Sequence, residues 1–457
     1  MGIVNIINLS VIIDILQILY YTVKAMKQKE ALAILEAGHN VLLTGPAGSG
    51  KTFLLNKYTA YLKKKQIGVA VTASTGIAAT HIGGRTIHSW AGIGIKDHLS
   101  PRDIQALTKK NYLKKQFSQT EVLIIDEISM LQAHRLDLID RVCQAGKKNS
   151  LPFGGIQIVL SGDFFQLPPI SKGGEEAEFV YKSNVWSEMD LRVCYLDEQH
   201  RQNDKRLTQI LQSFRQAQVG PEVVKLLTGR MNQTPKSAIK PVRLFTHNVD
   251  VDFINNVELA KIAAPEFTYH LTGEGEKKLV ESLKKNCLAP ENLVLKKGAL
   301  VMFVKNKFKD DQVIYVNGSM GVVVDFDENN FPLVRLHSGS EILVTPDSWA
   351  IDDEHKILAK ITQIPLRLAW AITVHKSQGM TLEMAEIDLS RSFGYGMGYV
   401  ALSRLTSLDG LYLLGINDMA YKLDPQVSAY DQELLALSRQ AKDNILPKAY
   451  KKQGSLL

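Results

Sequence analysis

From Lys27 onward, short runs of Val, Ile and Leu alternate with longer segments in which apolar residues recur every three or four positions. Runs of four or five apolar residues bounded by turn signals are the mark of strands buried on both faces. Their alternation with helical segments predicts a parallel sheet covered by helices. Four such runs, Asn40 to Thr44, Gly68 to Thr72, Val122 to Ile125 and Gln157 to Leu160, each end just before a polar or glycine-rich cluster. Open α/β sheets bind ligands beyond the carboxyl ends of their strands, so a site is expected at these four ends.

The rhythm changes twice. Between His81 and Gln119 the chain turns polar and basic, with Gly83, Gly84 and Pro101, and reads as a small insertion (about 81–119). A second α/β unit begins near Leu196, has a strand at Val242 to Phe245 and resumes at Leu366 to Ile372. Inside it, Leu293 to Ile361 carries short alternating strands, an Asn317-Gly318 hairpin signal and turn residues from Asp325 to Asn330, which predict an inserted β-barrel. The division expected is an extension over 1–25, a first domain over 26–195, a second over 196–292 and 362–430, a barrel over 293–361 and a tail over 431–457.

The extension is apolar from Gly2 to Val23 but holds Asp14 at its centre. A charge at mid-bilayer costs roughly 2.5 kcal/mol or more, and the basic start of a signal peptide is missing, so no membrane span is expected. Met26 reads as the functional start, with the upstream stretch either a partner helix or read-through from an earlier start codon.

At 457 residues the chain can bury large cores without disulfides or metal. Cys143, Cys194 and Cys287 stand far apart without histidine at ligand spacing, which disfavours a zinc site and fits a reducing, cytoplasmic setting. Lys and Arg outnumber acidic residues 54 to 47, a net charge of +7 that favours a polyanionic partner without identifying one.

The chemistry is more specific. GPAGSGKT, comprising Gly45, Pro46, Ala47, Gly48, Ser49, Gly50, Lys51 and Thr52, follows an apolar strand and opens a helix, the setting a phosphate-binding loop requires. Its glycines let backbone N–H groups close round the phosphates of ATP, Lys51 reaches the β- and γ-phosphates, and the Thr52 hydroxyl ligates Mg²⁺. VLIIDE then delivers Asp126 to the same metal and sets Glu127 beside the attacking water as general base. A third strand leads into SGDFFQLPP, where Gln166 is an uncharged amide suited to sensing the γ-phosphate.

Together with TASTGIAAT (Thr72 to Thr80), GGRTIHSWAGIG (Gly83 to Gly94), IIDEISM, RLDLIDRVCQ, PFGGIQIVLSGDFFQLPP, HRQ (His200 to Gln202), TVHKSQGMTLE (Thr373 to Glu383) and YVALSRLTS (Tyr399 to Ser407), these motifs resemble the PIF (petite integration frequency) DNA helicases of superfamily 1B. More distantly they are similar to RecD-type helicases. The resemblance runs from about Met26 to Leu414. It implies two RecA-like P-loop domains with ATP between them, a wedge inserted in the first and an SH3-like barrel in the second. It also implies Arg201 and Arg404 as arginine fingers, Gln28 as the reader of adenine, and Thr72, Thr75, His88, His375 and Lys376 on the DNA phosphates. Phe165, with Phe164 and Trp90, is a base-stacking candidate beside an ordinary core reading.

The activity implied is ATP- and Mg²⁺-dependent movement, 5′ to 3′, along single-stranded DNA, with forked or tailed duplexes unwound by a monomeric motor in repair, recombination or replication. A different class stays open: an ATP-gated single-strand binder that remodels complexes without separating duplex. A general P-loop ATPase would leave the Thr72 to Thr80 and Thr373 to Glu383 motifs without a role.

Overall fold

The computed structural model describes residues 26–447 apart from 95, 170–177, 236–238, 246–250, 310–311, 354–355, 375–376 and 378. The extension over 1–25, His375 and Lys376 therefore lie outside the described residues.

The predicted runs form one six-stranded sheet. Its strands are β1 (Val41–Thr44), β2 (Val69–Ala73), β3 (Arg85–Thr86), β4 (Val122–Asp126), β5 (Gln157–Ser161) and β6 (Arg192–Tyr195), in the order β3-β2-β4-β5-β1-β6. Every pairing is parallel. Strands β1 and β4 are buried along their whole length, which explains why their sequences are continuous apolar runs without alternation. Helix Lys51–Lys64 turns Leu54, Leu55, Tyr58 and Leu62 inward, and that face joins a core with Val41, Leu43, Ile124 and Val159.

The insertion after His81 is less separate than its composition implied. Arg85–Thr86 is the outermost strand of the parallel sheet, beside Thr72 and Ala73. Helices Pro101–Thr108 and Asn111–Gln119 then pack on the helix Ala133–Lys147 that follows β4. Their anchor is Trp90, 1% exposed, whose ring meets Phe117 edge-on at 5.4 Å. Trp90→Ala is expected to destabilise the fold by about 3–5 kcal/mol, the usual range for emptying a large aromatic site. Denaturant unfolding followed by circular dichroism would measure it, and a loss under about 1 kcal/mol would mean the indole is not a core residue.

A second parallel sheet combines Ala371–Thr373, Val242–Phe245, Ala385–Leu389 and Leu411–Ile416, in that order across the sheet. Antiparallel strands interrupt it. They begin at Phe267, earlier than the expected Leu293: Phe267–His270 pairs with Asn292–Leu295, and Thr272–Gly275 pairs with Lys356–Gln363. Leu366–Leu368, expected as resumed parallel strand, instead borders a five-stranded sheet beside Leu300–Phe303.

The two turn signals came out differently. Asp325 to Asn330 does join a hairpin, Met320–Phe326 with Pro332–Leu336. Asn317-Gly318 is a tight turn, but the strands on either side pair with other partners, so it makes no hairpin. Gly318 has φ +98°, and a β-carbon there would sit 2.3 Å from the Thr381 carbonyl oxygen. Glycine is needed because this turn seats the antiparallel module against the backbone that follows Thr373.

The tail expected from Asp431 is for the most part a helix, Pro425–Asn444, packed along β6. Val427, Leu434 and Ala441 recur at a seven-residue spacing and are buried, so burying that face, rather than loop formation, decides the segment's structure. No helix among the described residues is long and apolar enough to cross a membrane.

Candidate active site

Four parallel strands end side by side and each releases one working loop. β1 leads into the phosphate loop, where Gly45, Gly48 and Gly50 have φ of +133°, +86° and +82°, values open to glycine with little strain. Lys51, the first residue of the following helix, donates from Nζ to the Gly45 and Pro46 carbonyls at 2.8 and 3.0 Å. Burial pulls its pKa below the ordinary lysine value, against the opposing pull of Asp163 and Glu127. Thr52 is exposed on the same turn, and Pro46, Ala47 and Ser49 complete the loop.

β4 ends on Asp126, which is buried, and its Oδ1 accepts the Glu127 N–H at 2.9 Å. Glu127 adopts φ +51°, ψ +46°, a strained choice for a non-glycine residue. It is held there by Ser74, whose hydroxyl donates to the Glu127 carbonyl at 2.6 Å. Burial and the neighbouring Asp126 push the Glu127 carboxyl up to about 7, as expected for a base poised near neutrality.

β5 releases the loop of Asp163 and Gln166, and β6 releases His200, Arg201 and Gln202. The His200 N–H donates to the Gly48 carbonyl at 2.9 Å. A β-carbon on Gly48 would lie 2.6 Å from that of Arg201, so this segment lies directly on the phosphate loop. Gln28 is close by. Its N–H donates to Glu198 at 2.8 Å and its side-chain amide to the Ser49 carbonyl at 3.3 Å.

Across the cleft, the helix Met397–Leu402 presents Arg404. Its Nη2 donates to the Gln166 Oε1 at 3.3 Å and to the Ser403 hydroxyl at 3.0 Å. Arg201 Nη1 and Gln202 Nε2 both donate to the Ser403 carbonyl at 3.1 Å. Burial lowers the Arg404 pKa, and burial with the nearby Arg404 charge pushes Arg201 down to about 9. Two desolvated guanidinium groups held this close favour an anion between them.

Comparison with known proteins identifies the family. A family profile of PIF1-like helicases matches residues 23–235 and one of the DNA helicase Pif1 2B domain matches residues 278–326. The chain is 44% identical over 477 residues to the ATP-dependent DNA helicase Pif1 of Psychrobacter sp. (strain PRwf-1), covering 91% of this chain and 72% of the relative. The chain belongs to the Pif1 helicase family.

Against the Xenopus laevis, Danio rerio and human relatives it spans 66%, 63% and 63% of their length. Bacteroides sp. Pif1 in complex with ADP-AlF4 superposes with a TM-score of 0.77 at 29% identity, over 92% of this chain and 97% of that one. The Bacteroides helicase in complex with ADP-AlF3 and ssDNA superposes at 0.60, with 29% identity and coverage of 92% and 97%.

Within this Pif1-family fold, the expected DNA contacts need correction. Thr72 is fully buried and its hydroxyl donates to the Ile124 carbonyl at 2.6 Å, so it serves the sheet and has no group free for phosphate. Thr75 is half-buried, and its hydroxyl accepts the Ala78 N–H at 3.2 Å at the start of helix Gly76–His81. His88 is half-buried, and burial with the nearby Arg135 pushes its imidazole down to about 4, so at neutral pH the ring is an uncharged hydrogen-bonding group and not a cation. Phe165 is 3% exposed with the Arg215 guanidinium 4.3 Å above its ring, and Phe164 packs against Tyr181, Trp186 and Tyr430. Like Trp90 these aromatics pack as core, although Phe164 and Phe165 also border a cavity with Gln166 and Met397.

Sequence reasoning also passed over residues that complete the site. Ser74 and Ser403 act through bonds to segments distant in the chain, which no motif spacing announces. Asp163 stood inside a recognised motif without a role. Tyr195, Arg215 and Asp431 come from three distant segments that only folding brings together.

Proposed function

We propose that this chain hydrolyses Mg-ATP between two RecA-like domains and uses the cycle to move 5′ to 3′ along single-stranded DNA, opening duplex ahead of it. The observation that carries the reading is the contact of Arg404, from the second domain, with Gln166 of the first, beside Glu127 and the phosphate loop. An anion bound at Lys51 would face charge from both domains, so binding draws them together and hydrolysis releases them.

Placement supports a role for each residue. Lys51 and the amides of Gly45 to Thr52 bind phosphates, and Gln28 beside the loop reads adenine. Glu127 takes the proton of the attacking water, Gln166 senses the γ-phosphate, and Arg201 and Arg404 stabilise the transition state. Thr52 and Asp126 are hard oxygen donors, and burial raises the Asp126 pKa, so a divalent cation suits this carboxylate. Bound there, Mg²⁺ would neutralise charge on the phosphates. The insertion around His88 is the wedge and the antiparallel module is the SH3-like barrel. The motor acts as a monomer in the cytoplasm, with DNA reached through Thr75, His88 and the segment of His375 and Lys376.

Unwinding of two partial duplexes, one with a 5′ single-stranded tail and one with a 3′ tail, alongside DNA-stimulated ATPase, tests the reading. Opening of the 5′-tailed substrate alone, dependent on ATP and Mg²⁺, is the expected result. Stimulated ATPase with neither duplex opened would favour the strand-binding remodeller, and opening of the 3′-tailed duplex alone would reverse the polarity.

A further inference from the structure

Behind the ATP cleft lies a third arginine that the mechanism above does not use. Arg215 ends the helix Lys205–Arg215, which packs on Met397–Leu402 of the second domain, and it is 8% exposed. Most of its bonds nevertheless cross to the first domain and to the C-terminal helix packed on it. Nη1 donates to Asp163 Oδ1 at 2.8 Å, and Nη2 donates to the Tyr195 hydroxyl at 2.6 Å and to Asp431 Oδ1 at 3.0 Å. Asp163 begins the loop that ends in Gln166, Tyr195 ends β6, and Asp431 lies on the helix packed along β6.

Tyr399 links this cluster to the nucleotide loop. Its hydroxyl accepts from Arg215 Nη1 at 3.0 Å and from the Ala47 N–H at 3.4 Å, and donates to Asp163 Oδ2 at 3.0 Å. Despite burial, Arg215 and Lys51 hold the Asp163 carboxyl below its ordinary range, so the ion pair is charged and lies within electrostatic reach of the phosphate-binding lysine. A buried ion pair is weak evidence for stability, because apolar packing does that work as well. It differs in geometry: a planar fork bonded to two carboxylates and two phenols fixes distance and angle, where an apolar contact can slide.

We infer that Arg215 is a positioning residue for ATP hydrolysis, a fixed pivot that holds the Asp163 to Gln166 loop and the phosphate loop at one angle to the second domain. Movement of Arg404 against Gln166 then turns about this point. The inference rests on the ATPase reading.

Arg215→Met and Arg215→Lys in the full chain test it, with binding of a fluorescent ATP analogue, DNA-stimulated ATPase and thermal unfolding measured on each. The expected result for Arg215→Met is nucleotide affinity within about threefold of wild type and kcat lower by about 100-fold, the scale set by misplacing groups by an ångström. Arg215→Lys is expected to recover only part of that loss, since one ammonium cannot repeat the fork. A folded Arg215→Met with unchanged kcat overturns the inference. So does a parallel loss of nucleotide affinity, kcat and thermal stability, which describes a residue that only stabilises. If Arg215→Met fails to fold, Tyr399→Phe removes the hydroxyl link alone; lower kcat at unchanged stability supports the pivot, and unchanged kcat overturns it. A wild-type chain without ATPase would remove the underlying reading, whereas an active wild type matched by an equally active Arg215→Met removes this inference alone.

Discussion

Glu127→Gln is expected to bind ATP with near wild-type affinity and to hydrolyse it about 10²–10⁴-fold more slowly, the range for loss of a general base. The two side chains have nearly the same shape, and the Ser74 bond that holds the strained backbone goes to the Glu127 carbonyl, which the substitution leaves in place. What changes is the capacity to accept a proton. Filter binding of labelled ATP and steady-state ATPase with saturating single-stranded DNA separate the two properties. Turnover at the wild-type rate would move the base elsewhere, with Asp126 the nearest carboxylate.

Arg404→Ala is expected to reduce DNA-stimulated kcat by about 10³–10⁵-fold, the scale on which an arginine finger acts. Arg404 is 1% exposed and meets Gln166 at 3.3 Å, so its charge is directed into the cleft. Because a finger acts on charge that develops during transfer, the loss should fall on the transition state: affinity for ADP with aluminium fluoride should drop far more than affinity for ATP. Equal losses for both ligands would assign Arg404 to ground-state binding. Arg404→Lys checks that the effect is not one of folding, since it keeps the charge but lacks the planar fork that bonds the Val400 carbonyl through Nε while Nη2 meets Gln166 and Ser403.

The agreement between sequence and structure is uneven, and the pattern has a physical origin. Gly45 to Thr52, Asp126 and Glu127 were legible because strand, loop and helix N-terminus are contiguous in the chain. Local backbone geometry and chemistry are then written in the same few residues. Gln166 and Arg404 were named from their own motifs, but their contact joins positions far apart in sequence. The contacts expected of Thr72 and Phe165 failed for one reason: hydroxyl and aromatic groups beside a sheet serve core and surface equally well, and sequence does not say which way a side chain turns. Thr72 spends its hydroxyl on Ile124, and Phe165 lies beneath Arg215.

By itself the sequence determined the parallel α/β character, the four strand ends that carry the site, the phosphate loop and the order of the motifs. Each of these depends on apolar periodicity or on residues within one turn of each other. Only the tertiary structure decided that Arg85–Thr86 extends the sheet and that Pro425–Asn444 packs along β6. It alone placed Ser403 under Arg201 and Gln202 and gathered Asp163, Tyr195, Tyr399 and Asp431 round Arg215. Those outcomes depend on which distant surfaces bury each other, and a buried charge reveals its partners only when the chain has closed around it.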